Sequence, residues 1–234
     1  TGHDVRVLTL SNTTKSYKDG NVYYVGSLSA KKIYPQARVS NLLASSHLKE
    51  IKEWQPDIIH SQCEFSTFLM AKSIQRDLEI PLVHTYHTVY EDYTHYFSPS
   101  ERAGKKMVAI ASKTFSKLCT RIITPTAKTE ELLLKYGIEK NKLDVIPTGI
   151  VMPEFYDKKI LRKSLGMADD EKIIIYLGRL GEEKNIEEVM AYFDRLKDPT
   201  INLYIVGGGP YLDKLKKYAA SLSKKVIFTG MVDS

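Results

Sequence analysis

Arg179 and Lys184 lie in the segment Tyr176-Leu-Gly-Arg-Leu-Gly-Glu-Glu-Lys-Asn185, where an apolar run, Ile173 to Leu177, empties into a glycine turn just ahead of a helical pattern. Two cations held where the amides of a helix N-terminus also point suit a diphosphate, because both fields favour negative charge. A surface turn with solvated charges is the alternative for this segment taken alone. A second dense segment is His84-Thr-Tyr-His-Thr-Val-Tyr-Glu-Asp-Tyr-Thr-His-Tyr96, which gathers three histidines, four tyrosines and two carboxylates. Such a set of donors, acceptors and aromatic faces suits a polyhydroxylated ligand. Zinc is disfavoured there, since His84 falls within the strand pattern, His95 lies well beyond it, and no H-E-x-x-H occurs. His84 reads as a structural histidine and His87, in the loop, as the functional one. The third segment, Gly207-Gly208-Gly209-Pro210, follows a strand pattern and opens a helical one. It either brings backbone amides close to a phosphate or sugar or makes a tight turn with Pro210 at the first helical position. Its spacing is not G-x-G-x-x-G, so a nicotinamide cofactor is disfavoured. No metal and no other cofactor is called for.

The elements that must position these segments alternate between buried strands and helices, the pattern of parallel sheets covered by helices. Strands are expected at Val5–Leu10, Val22–Val25, Ile58–His60, Leu82–His84, Ile122–Ile123 and Val145–Ile146, with helices near Val39–Trp54, Phe65–Leu78, Glu101–Leu118 and Lys128–Tyr136. The rhythm then restarts with strands Ile173–Leu177, Asn202–Val206 and Val226–Phe228 and helices Asn185–Leu196 and Tyr211–Leu222. A polar stretch from Gly149 to Asp170 joins the two series. This predicts an α/β protein of two Rossmann-like domains, residues 1–150 and 151–234, facing a cleft, with ligands beyond the carboxyl ends of the strands.

The 234 residues are 43% hydrophobic, enough for real cores. A formal charge of +6 favours an anionic partner without choosing among nucleotide, nucleic acid and membrane. The lysines are scattered and no nucleic-acid motif is present, which disfavours nucleic acid. Two cysteines, Cys63 and Cys119, make no disulfide framework, and a reducing, cytoplasmic setting is expected. No apolar run reaches the roughly 20 residues of a membrane span and no signal-peptide layout opens the chain, so membrane contact is expected to be peripheral.

Taken in order, Gly2-His-Asp-Val, Pro56-Asp-Ile-Ile-His60, His84-Thr-Tyr-His87, Ile146-Pro-Thr-Gly-Ile150, Gly178-Arg-Leu-Gly-Glu-Glu-Lys184, Ile205-Val-Gly-Gly-Gly-Pro210 and Val226-Ile-Phe-Thr-Gly230 resemble the family-4 retaining glycosyltransferases of GT-B architecture. The tail of the His84–Tyr96 segment further resembles the bacterial 1,2-diacylglycerol 3-glucosyltransferases. The resemblance implies a metal-independent hexosyltransferase that moves glucose from a nucleotide sugar, UDP-glucose or a close relative, to diacylglycerol. It implies that Arg179 and Lys184 hold the donor diphosphate, that His87 faces the donor sugar, that Thr148 and Gly149 line the cleft, and that Met231 and Val232 meet the base. Gly178, Gly207 and Gly208 join the donor site, and Tyr90, Glu91, Tyr93 and Tyr96 are the expected acceptor contacts. Two family segments, a glycine-rich loop before Thr1 and a two-glutamate segment after Ser234, are not in this sequence, so the chain is expected to be truncated at both ends. A soluble acceptor, or a catalytically silent nucleotide-sugar binding module, is the alternative.

The helix Glu101–Leu118 bears on the acceptor. Met107, Val108, Ile110, Ala111, Phe115 and Leu118 are assigned to one face and Lys105, Lys106, Lys113 and Lys117 to the other, a basic amphipathic pattern. It fits either packing on a sheet or contact with the anionic inner face of a cell membrane.

Overall fold

A computed structural model describes residues 2–30, 38–40, 45–96, 98–152, 154–164, 166, 168 and 171–232. The chain divides into two compact units, Thr1–Gly149 and Ile150–Ser234.

In the first unit, β1 (Val7–Leu10) pairs in parallel with β3 (Val22–Val25), and β2 (Tyr17–Asp19) lies antiparallel on the other side of β3. A short ribbon joins β4 (Leu28–Ser29) to β5 (Arg38–Val39). Among the described residues, β6 (Ile59–Ser61), β7 (Leu82–Thr85), β8 (Arg121–Thr124) and β9 (Leu143–Val145) form a parallel sheet in that order. The intervening helices are α1 (Ser46–Trp54), α2 (Ser66–Leu78), α3 (Glu101–Ser116) and α4 (Ala127–Lys135). The helix expected over Val39–Trp54 begins only at Ser46, because Arg38 and Val39 pair with β4; residues 41–44 lie outside the described set. Ser100 and Thr126 cap α3 and α4 by accepting from the amides of Ala103 and Thr129, and losing such a cap costs about 1 kcal/mol. Phe68, Leu82, Tyr86, Val108, Ile122 and Leu133 form the core that α2, α3 and α4 share with the sheet.

The expected faces of α3 require correction. Its buried row is Gly104, Val108, Ser112 and Ser116, one residue per turn, while Met107 and Ile110 remain 57% and 59% exposed and Ala111 and Leu118 are exposed as well. The physical reason is close approach: a Cβ on Gly104 would lie 2.7 Å from Thr94 Cβ, so a small residue meets Thr94 there, and of the expected apolar face only Val108 and Phe115 turn to the core.

The second unit holds α5 (Lys158–Ser164), within the stretch read as a polar connection, followed by β10 (Lys172–Leu177), α6 (Ile186–Arg195), β11 (Ile201–Val206), α7 (Leu212–Ala219) and β12 (Val226–Gly230). The strands pair in parallel in the order β10-β11-β12. Ile186, Met190 and Phe193 recur at helical spacing on α6 and meet Leu203 and Ile205, alternate residues of β11, with Leu215 of α7. The helix after the glycines starts at Leu212, so Pro210 precedes it rather than opening it.

Candidate active site

In the first unit the parallel register sets Ser61 beside His84, so the residues leaving β6 and β7 emerge side by side. The carboxylate of Glu64 accepts from Tyr90 Oη at 2.5 Å and lies 3.2 Å from Nε2 of the fully buried His84. His84 Nδ1 is 3.3 Å from Ser61 Oγ, and the ring packs edge-on against Phe68 and Phe115. One turn of chain away, His87 Nε2 sits 2.5 Å from Gln62 Oε1 while Gln62 Nε2 sits 3.0 Å from His60 Nε2. His60 Nε2 also meets Thr85 Oγ1 at 2.7 Å.

Burial, and then the proximity of the His84 and His87 rings, hold the His60 imidazole below its usual range. Burial, and then Glu64, push the Tyr90 phenol far above the ordinary range, so it stays a donor to the carboxylate. Burial pushes Tyr86 up to about 12, and its hydroxyl is tied to Ser112 of α3 at 2.9 Å. Tyr90, Glu91 and Tyr93 lie on a single 3-10 helix, Tyr90–Tyr96, seated on α3. Glu91, Asp92, Ser98, Glu101 and Lys105 line a cavity of about 390 Å³ beside it, and Lys105 pairs with Glu101, one turn away on α3, at 2.6 Å. The side chain of Tyr96 lies outside the described residues.

In the second unit the turns after β10 and β11 continue the ladder as bare backbone. Gly178 donates to Val206 O at 3.0 Å, Leu180 to Gly208 O at 3.0 Å, Gly207 to Gly230 O at 2.8 Å, and Tyr211 to Leu180 O at 3.1 Å. There is no room for side chains between them: a Cβ on Gly207 would fall 2.0 Å from Gly178 O, and one on Gly209 2.2 Å from Leu180 O. Tyr176 Oη donates to Arg179 O at 2.9 Å and braces the turn from below; burial, and then Glu183, raise that phenol's pKa. Lys184 closes a one-turn 3-10 helix, Glu182–Lys184, and is exposed ahead of α6. Met231 Cγ lies 3.3 Å from where a Cβ of Gly208 would stand, with Met231 itself 82% exposed and Val232 exposed beyond it.

The structure therefore brings Gly178, Arg179, Gly207, Gly208 and Met231 to one edge of the second sheet, and His87, Tyr90 and Glu91 to one edge of the first. Thr148 and Gly149 stand apart from the latter group, exposed after β9, with β8 between β9 and β7. Two residues with evident contacts were not singled out from the sequence: Gln62 and Glu64. The signal was available, since both lie within three residues of the end of a strand, as His87 does. Among the described residues no group of three or more His, Cys, Asp or Glu is placed to hold a metal ion, and no helix is long and apolar enough to cross a membrane.

Two units each holding a parallel sheet, the second with glycine turns at its carboxyl edge, have the fold of the GT-B glycosyltransferases. It is shared with Alr3699/HepE of Anabaena, solved with UDP-glucose, at a TM-score of 0.64 and 14% identity over 97% of this chain and 69% of that one. Residues 1–152 match the family described as Glycosyltransferase Family 4, and residues 157–234 match Glycosyl transferases group 1. The chain belongs to glycosyltransferase family 4. It is 36% identical to the alpha-monoglucosyldiacylglycerol synthase of Streptococcus pneumoniae over 99% of its own length, and 28% identical to the enzyme of that name from Acholeplasma laidlawii over 92%. It spans 55% and 58% of the lengths of these two relatives.

Proposed function

We propose that the protein is a retaining, metal-independent glucosyltransferase that moves glucose from UDP-glucose to diacylglycerol at a membrane surface. In this reading the first unit is the acceptor domain and the second the donor domain. The observation that carries it is the pair of backbone turns at the edge of the second sheet, packed so that no side chain fits between them and bordered by Arg179. Such turns let a diphosphate approach the main chain closely. As the glycosidic bond breaks, negative charge grows on the phosphate oxygens of the leaving nucleotide. Arg179 and Lys184 are the cations that favour this change more than they favour the ground state, which is what lowers a barrier. His87 is assigned to the donor sugar, and Tyr90, Glu91 and Tyr93 to the acceptor.

The names of the two relatives support glucose as the sugar and diacylglycerol as the acceptor. The outward face of α3 supports peripheral membrane contact: Met107 and Ile110 are exposed beside the exposed Lys106 and Lys117, a layout suited to an anionic interface. The test is a screen of nucleotide sugars with diacylglycerol in mixed micelles, detecting released nucleotide. Release from UDP-glucose that depends on diacylglycerol is the expected result. Release only with water-soluble acceptors would replace the lipid by a soluble substrate, and binding of UDP-glucose without release would make the protein a nucleotide-sugar binding module.

A further inference from the structure

His87 is held by a side chain from the neighbouring strand's exit, and that contact decides which ring nitrogen it can offer. Gln62 turns its amide oxygen to His87 Nε2 at 2.5 Å and its amide nitrogen to His60 Nε2 at 3.0 Å. An amide oxygen only accepts and an amide nitrogen only donates, so His87 carries its proton on Nε2 and His60 accepts at its own Nε2. The imidazole of His60, held below its usual range by desolvation first, agrees with a neutral accepting ring. Thr85 Oγ1, 2.7 Å from the same His60 nitrogen, is then a second donor sharing that single lone pair, and it ties the ring to the end of β7. The amide is thus pinned from behind by the sheet, and it points its oxygen outward at a histidine in a loop.

We propose that Gln62 is a positioning residue: by accepting from His87 Nε2 it fixes the tautomer whose Nδ1 has the lone pair, and so presents an acceptor to a substrate hydroxyl. The proposal rests on the assignment of His87 to the transfer site. The hydroxyl belongs either to the donor sugar or to the lipid acceptor, and the kinetic arms below distinguish them. A histidine free to exchange tautomers would present that acceptor for only part of the time, so a hydroxyl that donates to it is held less firmly.

The test combines nuclear magnetic resonance of protein labelled with nitrogen-15 histidine, the His87 signals being assigned by their loss in His87→Ala, with steady-state kinetics. In the wild type without ligand, His87 is expected as the tautomer protonated at Nε2. Gln62→Leu should give a mixture of tautomers, whereas Gln62→Glu, which keeps an accepting oxygen, should retain the wild-type form. Turnover in Gln62→Leu should fall about two- to tenfold, the worth of one hydrogen bond, with partial rescue in Gln62→Glu. A rise in KM for UDP-glucose alone assigns the hydroxyl to the sugar, and a rise in KM for diacylglycerol alone assigns it to the acceptor. An unchanged tautomer in Gln62→Leu, or a changed one with wild-type kinetics, overturns the proposal. If the wild type transfers no sugar, the functional reading fails by itself, and the ring signature alone decides whether Gln62 sets the tautomer.

Discussion

Gly207→Ala is the most direct probe of the donor turn, because its cost separates into parts that neighbouring glycines isolate. At Gly149 a Cβ meets nothing within 4 Å and φ is not positive, so Gly149→Ala should be near neutral. At Gly230 the space is equally open but φ is +77°, so Gly230→Ala should cost only the left-handed backbone penalty, about 1–2 kcal/mol. Gly207 combines a φ of +131° with a Cβ only 2.0 Å from Gly178 O, a backbone atom that no rotamer change can move. The two strand ends must separate, which breaks the bonds Gly178 N to Val206 O and Gly207 N to Gly230 O. At about 1 kcal/mol each these add to the conformational cost, for a total of about 3–4 kcal/mol. Amide hydrogen exchange reads the effect locally: protection at Gly178 and Gly207 should fall by roughly a hundredfold or more, while amides of the first sheet are unchanged. Trp54, the sole tryptophan and a residue of the first unit, gives an internal control, since its fluorescence transition should not move. UDP binding should be lost in parallel. If Gly207→Ala keeps wild-type protection, or proves no worse than Gly230→Ala, the packing of the two turns is not what excludes side chains there.

Arg179→Ala and Lys184→Ala should each lower turnover about a hundredfold or more, and weaken UDP-glucose binding less, because their partner charge develops in the transition state. Wild-type turnover in either variant would remove that residue from the diphosphate site. EDTA should leave transfer largely intact, since the two cations take the part a metal would play, and strict dependence on magnesium or manganese would refute this. His87→Ala should impair transfer while calorimetry with UDP alone shows nearly unchanged affinity; a large loss of UDP affinity would place the histidine against the nucleotide. Replacing Met107 and Ile110 together by serine should weaken binding to anionic vesicles without unfolding the protein, as both side chains are more than half exposed. Wild-type vesicle binding should also weaken with salt, because the Debye length shortens to about 8 Å at physiological ionic strength.

Most strands and helices were legible because their signals are local. The run Ile173 to Leu177 and the α6 spacing of Ile186, Met190 and Phe193 announce themselves within one element, and the structure keeps both. The face of α3 was not legible for the opposite reason. Periodicity measures which residues are apolar, but which face is buried depends on how closely a partner approaches. Here Thr94 and Ser98 come so near that only Gly104 fits beneath them, and the helix turns inward a row in which Val108 is the one large apolar residue. The serine at 112 is further tied by the hydroxyl of Tyr86, a contact that spans the chain from the end of β7 to α3.

The same distinction runs through the site. Arg179, the glycines at 178, 207 and 208, and His87 stand out because each sits where an apolar run stops, and strand ends are where an open parallel sheet meets its ligands. Gln62 and Glu64 obey that rule too, yet nothing in their own segment says which strand end they face. Their meaning comes from register: with Ser61 opposite His84, whatever follows β6 lies against whatever follows β7. That pairing turns a glutamine into the partner of His87 and a glutamate into the partner of Tyr90, across separations of 25 and 26 residues. A parallel sheet therefore writes its site twice, once in the residue types at each strand end and once in the order of the strands, and only the first copy can be read from a single segment. Since β6 and β7 are adjacent and every crossover between sequential strands β6 to β9 places neighbours side by side, the second copy was accessible by assuming sequential order. On that assumption the residues after Ser61 would have been matched to those after Thr85, and Gln62 and Glu64 would have entered the site beside His87 and Tyr90.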